Sequence, residues 1–344
     1  MGTVVVHAGM PKAGSSSIQA WLTASVDELR ARDIELLVAT DRGRTSVEVV
    51  PYEGGGVVSG AFLYGYLGFD RDPEILARFL AGIDRAAAAH ATSVITAEGF
   101  ANLFTPLDHQ FVSGLQRLAQ DHEVRVAYYV RPQHTSMEAA WCQWGYRLPD
   151  PPSTYLSRWA ETLDYRSTLD DVRRAAPDVS FEVRPFRSDL LLHGDVVADF
   201  ADHFLGMEAS PASERANLGF SLDLVNILRG APTGLLWDSA HDNRHLDLLR
   251  PALTGLELQP SPDVVRSRAV LRAHCHQRFE ADDLALLRSL GWDTTSFVPA
   301  PDPGQPTGSD PADLAELDEL WSLPSAETTR AVLLAVLAGL TPDR

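Results

Sequence analysis

Short apolar runs separated by longer amphipathic stretches recur through the first half of the chain. Runs at residues 3–7, 35–39, 93–97 and 125–130 are β-branched or apolar and read as buried strands, and 179–184 continues the series. Between them the apolar spacing predicts helices over 16–32, 73–90, 106–120 and 132–147. Strands alternating with helices of this length pair in parallel through crossover helices. The pattern therefore predicts the α/β class, an open three-layer α/β/α arrangement with a central parallel sheet. In such sheets ligands bind at the carboxyl ends of the strands.

From 40 to 72 no periodic pattern holds, and the stretch contains YEGGGVVSGAF. A structureless segment of that length inside a compact domain is a lid or binding loop, or else disordered; we read it as a binding loop. The remainder is mainly helical, over 195–205, 221–229, 241–253, 263–278 and 281–290. PAPDPGQPTGSDP, residues 299–311, reads as a Pro/Gly linker, followed by helices over 312–321 and 325–340. The expected organisation is one α/β domain over 1–298, the linker, and a helical C-terminal extension over 312–344. The last helix is apolar nearly all round, so it needs burial against the main body or a partner subunit, and a homodimer is one way to meet that need.

Composition narrows the function classes. With 344 residues, 45% hydrophobic and 22% charged, the chain is ordinary for a globular protein. Its net charge of −18 argues against nucleic acid or an anionic membrane as partner, and an anionic ligand needs a locally positive pocket. Two cysteines, Cys142 and Cys275, make neither a disulfide framework nor a thiolate zinc cluster. No basic segment followed by a long apolar stretch marks a signal peptide, and the longest apolar run, 331–340, is too short to span a bilayer. A cytoplasmic location is the expectation.

One turn carries more chemistry than the rest. HAGMPKAGSSSIQ, residues 7–19, lies between the first strand and the first helix. Lys12 is the only lysine in the chain; every other member of the 29 Lys and Arg residues is arginine. A lysine kept against that drift points to a need for a compact ammonium with three donors, the alternative being a chance survivor on the surface. Gly9, Pro11 and Gly14 shape a tight turn. The amides of Gly14 to Ser17, the backbone of Ala13 and the hydroxyls of Ser15, Ser16 and Ser17 suit a phosphate at a helix N-terminus. The competing reading is a serine-capped helix with no ligand. The nucleotide-kinase pattern G-x-x-x-x-G-K-[ST] is not met, because the lysine precedes the second glycine, which disfavours ATP.

HAGMPKAGSSSIQAWL resembles the 5′-phosphosulfate loop, HIGxPKTGTTxxQ, of sulfotransferases that use 3′-phosphoadenosine-5′-phosphosulfate (PAPS). The resemblance implies a P-loop-like sulfotransferase fold, related in architecture to nucleotide kinases, and PAPS as co-substrate with no metal. Lys12 then matches the lysine that bridges the leaving phosphate and the sulfuryl group. YYVRPQHTSMEAAWCQW resembles the family's 3′-phosphate motif, with Arg131 as its arginine. The motif's serine is replaced by Ala139. Ser136, one helical turn nearer the strand and on the same face, is the candidate substitute. Three readings stay open: Ser136 or a water takes the contact, arginine alone holds the phosphate more weakly, or the donor is not PAPS.

A strand-end carboxylate completes the set. In SVITAEGFANLF the strand runs into Glu98, placed to take a proton from an acceptor hydroxyl, and equally placed to cap a helix or form an ion pair. TAEGF resembles the branch of the family that acts on carbohydrates and related hydroxyls, which implies Glu98 as general base. Arg184 and Arg187 are read as surface arginines. HDNRH (241–245) and HCH (274–276) lack a completing ligand and are read as solvated or core-edge histidines rather than metal sites. The resulting expectation is sulfuryl transfer from PAPS to a hydroxyl of a small molecule or carbohydrate. Its rivals are a non-catalytic, degenerate member of the same fold, for which Ala139 is the best argument, and an ATP-dependent phosphotransferase.

Overall fold

The computed structural model describes residues 1–10, 12–41, 47–54, 73–104, 108–209, 220–229, 260–292 and 314–321. The helices expected at 241–253 and 325–340, the linker 299–311, the HDNRH histidines and most of the loop expected over 40–72 lie outside these residues.

Six strands form one sheet: β1 (Thr3–Ala8), β2 (Ile34–Asp41), β3 (Val47–Pro51), β4 (Thr92–Ala97), β5 (Glu123–Val130) and β6 (Ser180–Pro185). Their spatial order is β3-β2-β4-β1-β5-β6. Every neighbouring pair is parallel except β2 with β3. The sheet is thus mixed rather than wholly parallel. The antiparallel edge strand β3 falls in the stretch read as patternless; it is short and ends at Pro51, which suits an edge. The five parallel strands match the expected runs to within two residues at each end.

Helices cover both faces, which is why β1 and β4 are buried along nearly their whole length. On the face of His7 and Tyr129 lie α1 (Ser15–Ala24) and α8 (Val196–Leu205), which pack on each other. On the face of Tyr128 lie α3 (Pro73–Ala89), α4 (His109–Leu118) and α7 (Tyr165–Ala175), over an aromatic cluster of Phe79, Phe100, Phe104, Phe111 and Phe181. In α3 the buried positions Ile75, Leu76, Phe79, Leu80 and Ile83 repeat at helical spacing.

Several helix boundaries differ from expectation for local reasons. The predicted 16–32 helix is two, α1 and α2 (Val26–Ala31), broken at Ser25. The helix expected from 106 starts at His109, where the Asp108 carboxylate accepts from the amides of Gln110 and Phe111. The two helices expected over 263–278 and 281–290 are one, α10 (Pro262–Leu290), because Phe279 and Asp283 continue its buried stripe. Two further helices, α6 (Pro152–Ala160) and α7, occupy a stretch left unassigned by the sequence pattern.

By its contacts the chain divides into two compact units, Met1–Arg131 with Tyr165–Ala216, and Pro132–Asp164 with Asn217–Arg344. The first contains the whole sheet. In the second, α5 (Gln133–Gln143), α6, α9 (Leu222–Arg229), α10 and α11 (Glu316–Leu320) share a core in which Trp141 stacks on Trp321 at 5.2 Å between ring centroids. Residues 314–321, expected in the extension, are tied into this unit: Asp318 accepts from the Ser153 amide at 2.9 Å and hydroxyl at 2.7 Å. No described helix is long and apolar enough to cross a membrane.

Candidate anion site at the carboxyl edge of the sheet

The connection after β1 passes to the α1 face, whereas α3, which leads into β4, and α4, which follows β4, lie on the opposite face. The strand order therefore reverses at β1, and the crevice at the carboxyl ends of β1 and β4 is the topological switch point where open α/β sheets bind ligands. The HAGMPKAGSSS turn lies on one side of it, and the 3-10 turn Glu98–Leu103, which follows β4, lies on the other. The two are joined where the Gly9 amide donates to the Ala97 carbonyl at 3.1 Å.

The turn is anchored by its apolar residues. Met10 and Ala13 are buried, the Tyr128 hydroxyl donates to the Met10 sulfur at 3.4 Å, and the Ala13 amide donates to the Met10 carbonyl at 3.1 Å. Between these anchors Lys12 is half-buried with φ 68°, a left-handed conformation that costs a non-glycine residue about 1 kcal/mol. Gly14 is left-handed too, at φ 81°, and a Cβ there would lie 2.6 Å from Phe186 Cε2 and 2.8 Å from Val196 Cγ1. Only glycine satisfies both restrictions. Left-handed residues at 12 and 14 flank Ala13, the kind of alternation from which backbone anion nests are built, with the Ala13 amide itself engaged by Met10.

Helix α1 begins at Ser15 with Gly14 as N-cap and no side chain capping it. The serine-capped reading of this turn is therefore not what the chain adopts. The Ser17 and Ile18 amides both donate to the Gly14 carbonyl, at 3.0 and 3.2 Å, so Ser17 offers its hydroxyl more readily than its amide. No hydrogen bond among the described residues takes up the amides of Gly14, Ser15 and Ser16, which remain at the positive end of the helix dipole. Ser15 is buried, and Ser16 and Ser17 are half-buried.

Arg131, directly after β5, reaches the same turn: its Nη1 donates to the Lys12 carbonyl at 3.3 Å. The Arg131 carbonyl in turn accepts from the buried Tyr165 hydroxyl at 2.8 Å. Lys12, Ala13, Gly14, Ser15, Ser16, Ser17 and Arg131 thus share the first unit, with two basic side chains at one strand edge of an acidic protein. Ser136 belongs to the second unit. It is fully buried on α5, where its hydroxyl accepts from the Trp159 indole at 3.4 Å; Ala139 on the same helix is half-buried. The backbone of Glu98 opens the turn after β4, and its side chain lies outside the described residues.

One expectation about basic residues changes. Arg184 is half-buried and more than a surface group: it holds buried Asp199 through two hydrogen bonds of 2.6 Å, and Asp199 also accepts from the Tyr129 hydroxyl at 2.7 Å. Burial alone would raise the Asp199 carboxyl, but these donors hold it below its ordinary value. Arg187 keeps its surface reading, in an exposed pair with Asp189 at 2.6 and 2.9 Å. Among the described residues no group of three or more His, Cys, Asp or Glu side chains is placed to hold a metal ion.

The residue types at 12–17 were legible in the sequence; what was missed is their support. His7, Gln19, Thr96 and Tyr165 all contact the turn's flanks, and only the first two stand inside the motif that signals it. Compared with protein-family models, curated proteins and solved structures, the chain matches none.

Proposed function

We propose that the chain is a PAPS-dependent sulfotransferase acting on a hydroxyl of a small molecule or carbohydrate. The observation that carries this reading is the left-handed turn at Lys12 and Gly14 that presents the amides of Gly14 to Ser16 at the topological switch point, with no side-chain cap and with Arg131 bonded to the turn from the end of the neighbouring strand. Such a turn suits a phosphate dianion, and the motif it is built from resembles the 5′-phosphosulfate loop.

In this reading the amides of Gly14 to Ser16 and the hydroxyls of Ser15 to Ser17 hold the 5′-phosphate, and Arg131 binds the 3′-phosphate. Glu98 takes the proton of the acceptor hydroxyl while its oxygen attacks sulfur. The bond from sulfur to the phosphate oxygen breaks in line, and Lys12 neutralises the charge left on that oxygen. Transfer of this kind asks for positioning and charge stabilisation more than for covalent help, by analogy with phosphoryl transfer. The degenerate-member reading keeps one observation in its favour, Ala139 at the motif's serine position, with the nearest hydroxyl, Ser136, engaged by Trp159.

Calorimetric titration with 3′-phosphoadenosine-5′-phosphate, the spent donor, tests the reading. Micromolar binding by the wild type, lost in Lys12→Ala and Arg131→Ala and absent with ATP, supports it. No binding, or equal binding of ATP, overturns it.

A further inference from the structure

The two ends of the loop motif, His7 and Gln19, hydrogen-bond to a single atom on another strand. His7 Nδ1 lies 2.7 Å from Thr96 Oγ1, and Gln19 Nε2 donates to the same oxygen at 3.3 Å. All three side chains are buried: Thr96 is 0% exposed, His7 1% and Gln19 5%. His7 is the penultimate residue of β1, Gln19 lies in the second turn of α1, and Thr96 is the penultimate residue of β4. The loop over 8–18 therefore leaves and returns to one hydroxyl.

The proton count fixes how the hydroxyl is used. Thr96 Oγ1 accepts from Gln19, and among the described residues its own hydrogen has no acceptor other than His7 Nδ1. His7 Nε2 has no hydrogen-bond partner among them either. With the proton on Nε2, only that one group is left unmatched; with it on Nδ1, both Nε2 and the threonine hydrogen are. Thr96 thus donates to a neutral imidazole and accepts from an amide at once. Burial pushes the His7 imidazole down to about 3, so it stays neutral through the ordinary pH range. A histidine beside a proposed phosphate site would more commonly supply charge; this one supplies an acceptor inside the fold.

We infer that Thr96 is a positioning residue for the anion loop, its hydroxyl clasping the strand that enters the loop to the helix that leaves it. The loop is then held in its nest conformation before any anion arrives, and binding spends nothing on ordering it. The effect on donor affinity rests on the sulfotransferase reading; the effect on the loop itself does not.

The test is hydrogen–deuterium exchange of the amides of residues 13–18 in the ligand-free full chain, paired with titration of 3′-phosphoadenosine-5′-phosphate. Thr96→Val should speed exchange across 13–18 about tenfold while β5 amides such as that of Val126 keep their protection, and Thr96→Ser should restore the wild-type pattern. Binding should weaken about tenfold in Thr96→Val and recover in Thr96→Ser, with no change in the pH profile of binding between pH 5.5 and 8. Gln19→Met removes one arm while leaving Thr96 and His7 in place, and it gives the same readout if Thr96→Val does not fold. Exchange at 13–18 that is unchanged in the variants, or that rises equally in β5, overturns the clasp. Faster local exchange in a chain whose wild type does not bind the probe leaves the clasp standing and removes the sulfotransferase reading.

Discussion

Helices α1 and α8 pack on each other, and their N-termini come together where Gly14 faces Val196, yet the two ends are finished in opposite ways. At α8 the Asp195 carboxylate accepts from the amides of Val197 and Ala198 at 2.8 and 2.9 Å, and Asp199 one turn on is saturated by Arg184, Tyr129 and the Leu192 amide. At α1 a glycine stands at the cap, three serines follow it, and no carboxylate lies in the first turn. One helix carries its anions within the chain. The other has no partner among the described residues for its first amides and stands beside a lysine and an arginine, which is the arrangement expected where the anion comes from outside.

The largest effect should come from breaking the self-contained end. Asp199→Asn leaves Arg184 without its partner and should cost about 3 kcal/mol in urea denaturation at pH 7. The native Asp199 carboxyl sits below the ordinary value of 3.8, so its stabilisation is fully present above that pH and is lost as pH falls through the native value. The acid limb of a wild-type stability profile should therefore flatten in Asp199→Asn. Closing the open end comes next. Gly14→Ala forces a Cβ against Phe186 and Val196 at a left-handed φ, and a loss of about 2–3 kcal/mol with no measurable binding of the spent donor is expected.

Lys12 separates function from stability within one residue. On the proposed reading, Lys12→Ala lowers kcat about 100-fold or more. Lys12→Gly should lose activity equally while leaving denaturation unchanged or shifting it up by as much as about 1 kcal/mol, because glycine accepts the left-handed backbone freely. A clearly destabilised Lys12→Gly would show that the lysine is kept for the fold. The smallest change is Asp195→Ala, which should cost about 1 kcal/mol of stability and leave spent-donor affinity within about twofold. A large affinity change there would end the contrast between the two helix ends.

The same contrast shows what a sequence discloses. The parallel strands were legible because burial on both faces demands unbroken apolar runs such as Val4-Val5-Val6 and Val94-Ile95. The open helix end was legible as composition, in one lysine among glycines and serines. Strand β3 was not, because a five-residue edge strand needs one covered face and carries Glu48 and Pro51. Nor was the role of Arg184: its partner is 15 residues away and the tyrosine sharing that partner is 55 residues before it, and neither distance leaves a periodic trace. The left-handed backbone of Lys12 was equally hidden, since nothing in a lysine's identity announces φ 68°. Thr96 reads as one more strand residue until the fold brings His7 and Gln19 to it.

The central place of β1 in the sheet also sets a timetable for the growing chain. Thr3–Ala8 is made before the other five strands of the sheet, but its neighbours are β4 and β5, and its last ladder partners are Glu123 to Ala127. The β-strand made next after it, β2, pairs elsewhere. A nascent chain shorter than β5 thus holds the anion loop on a strand with one side unpaired, and without the bond from Arg131 to the Lys12 carbonyl. Full burial of the loop's strand is thus a late event of synthesis, and chains released from the ribosome before and after residue 131 should differ sharply in their protection from protease at the β1–α1 junction.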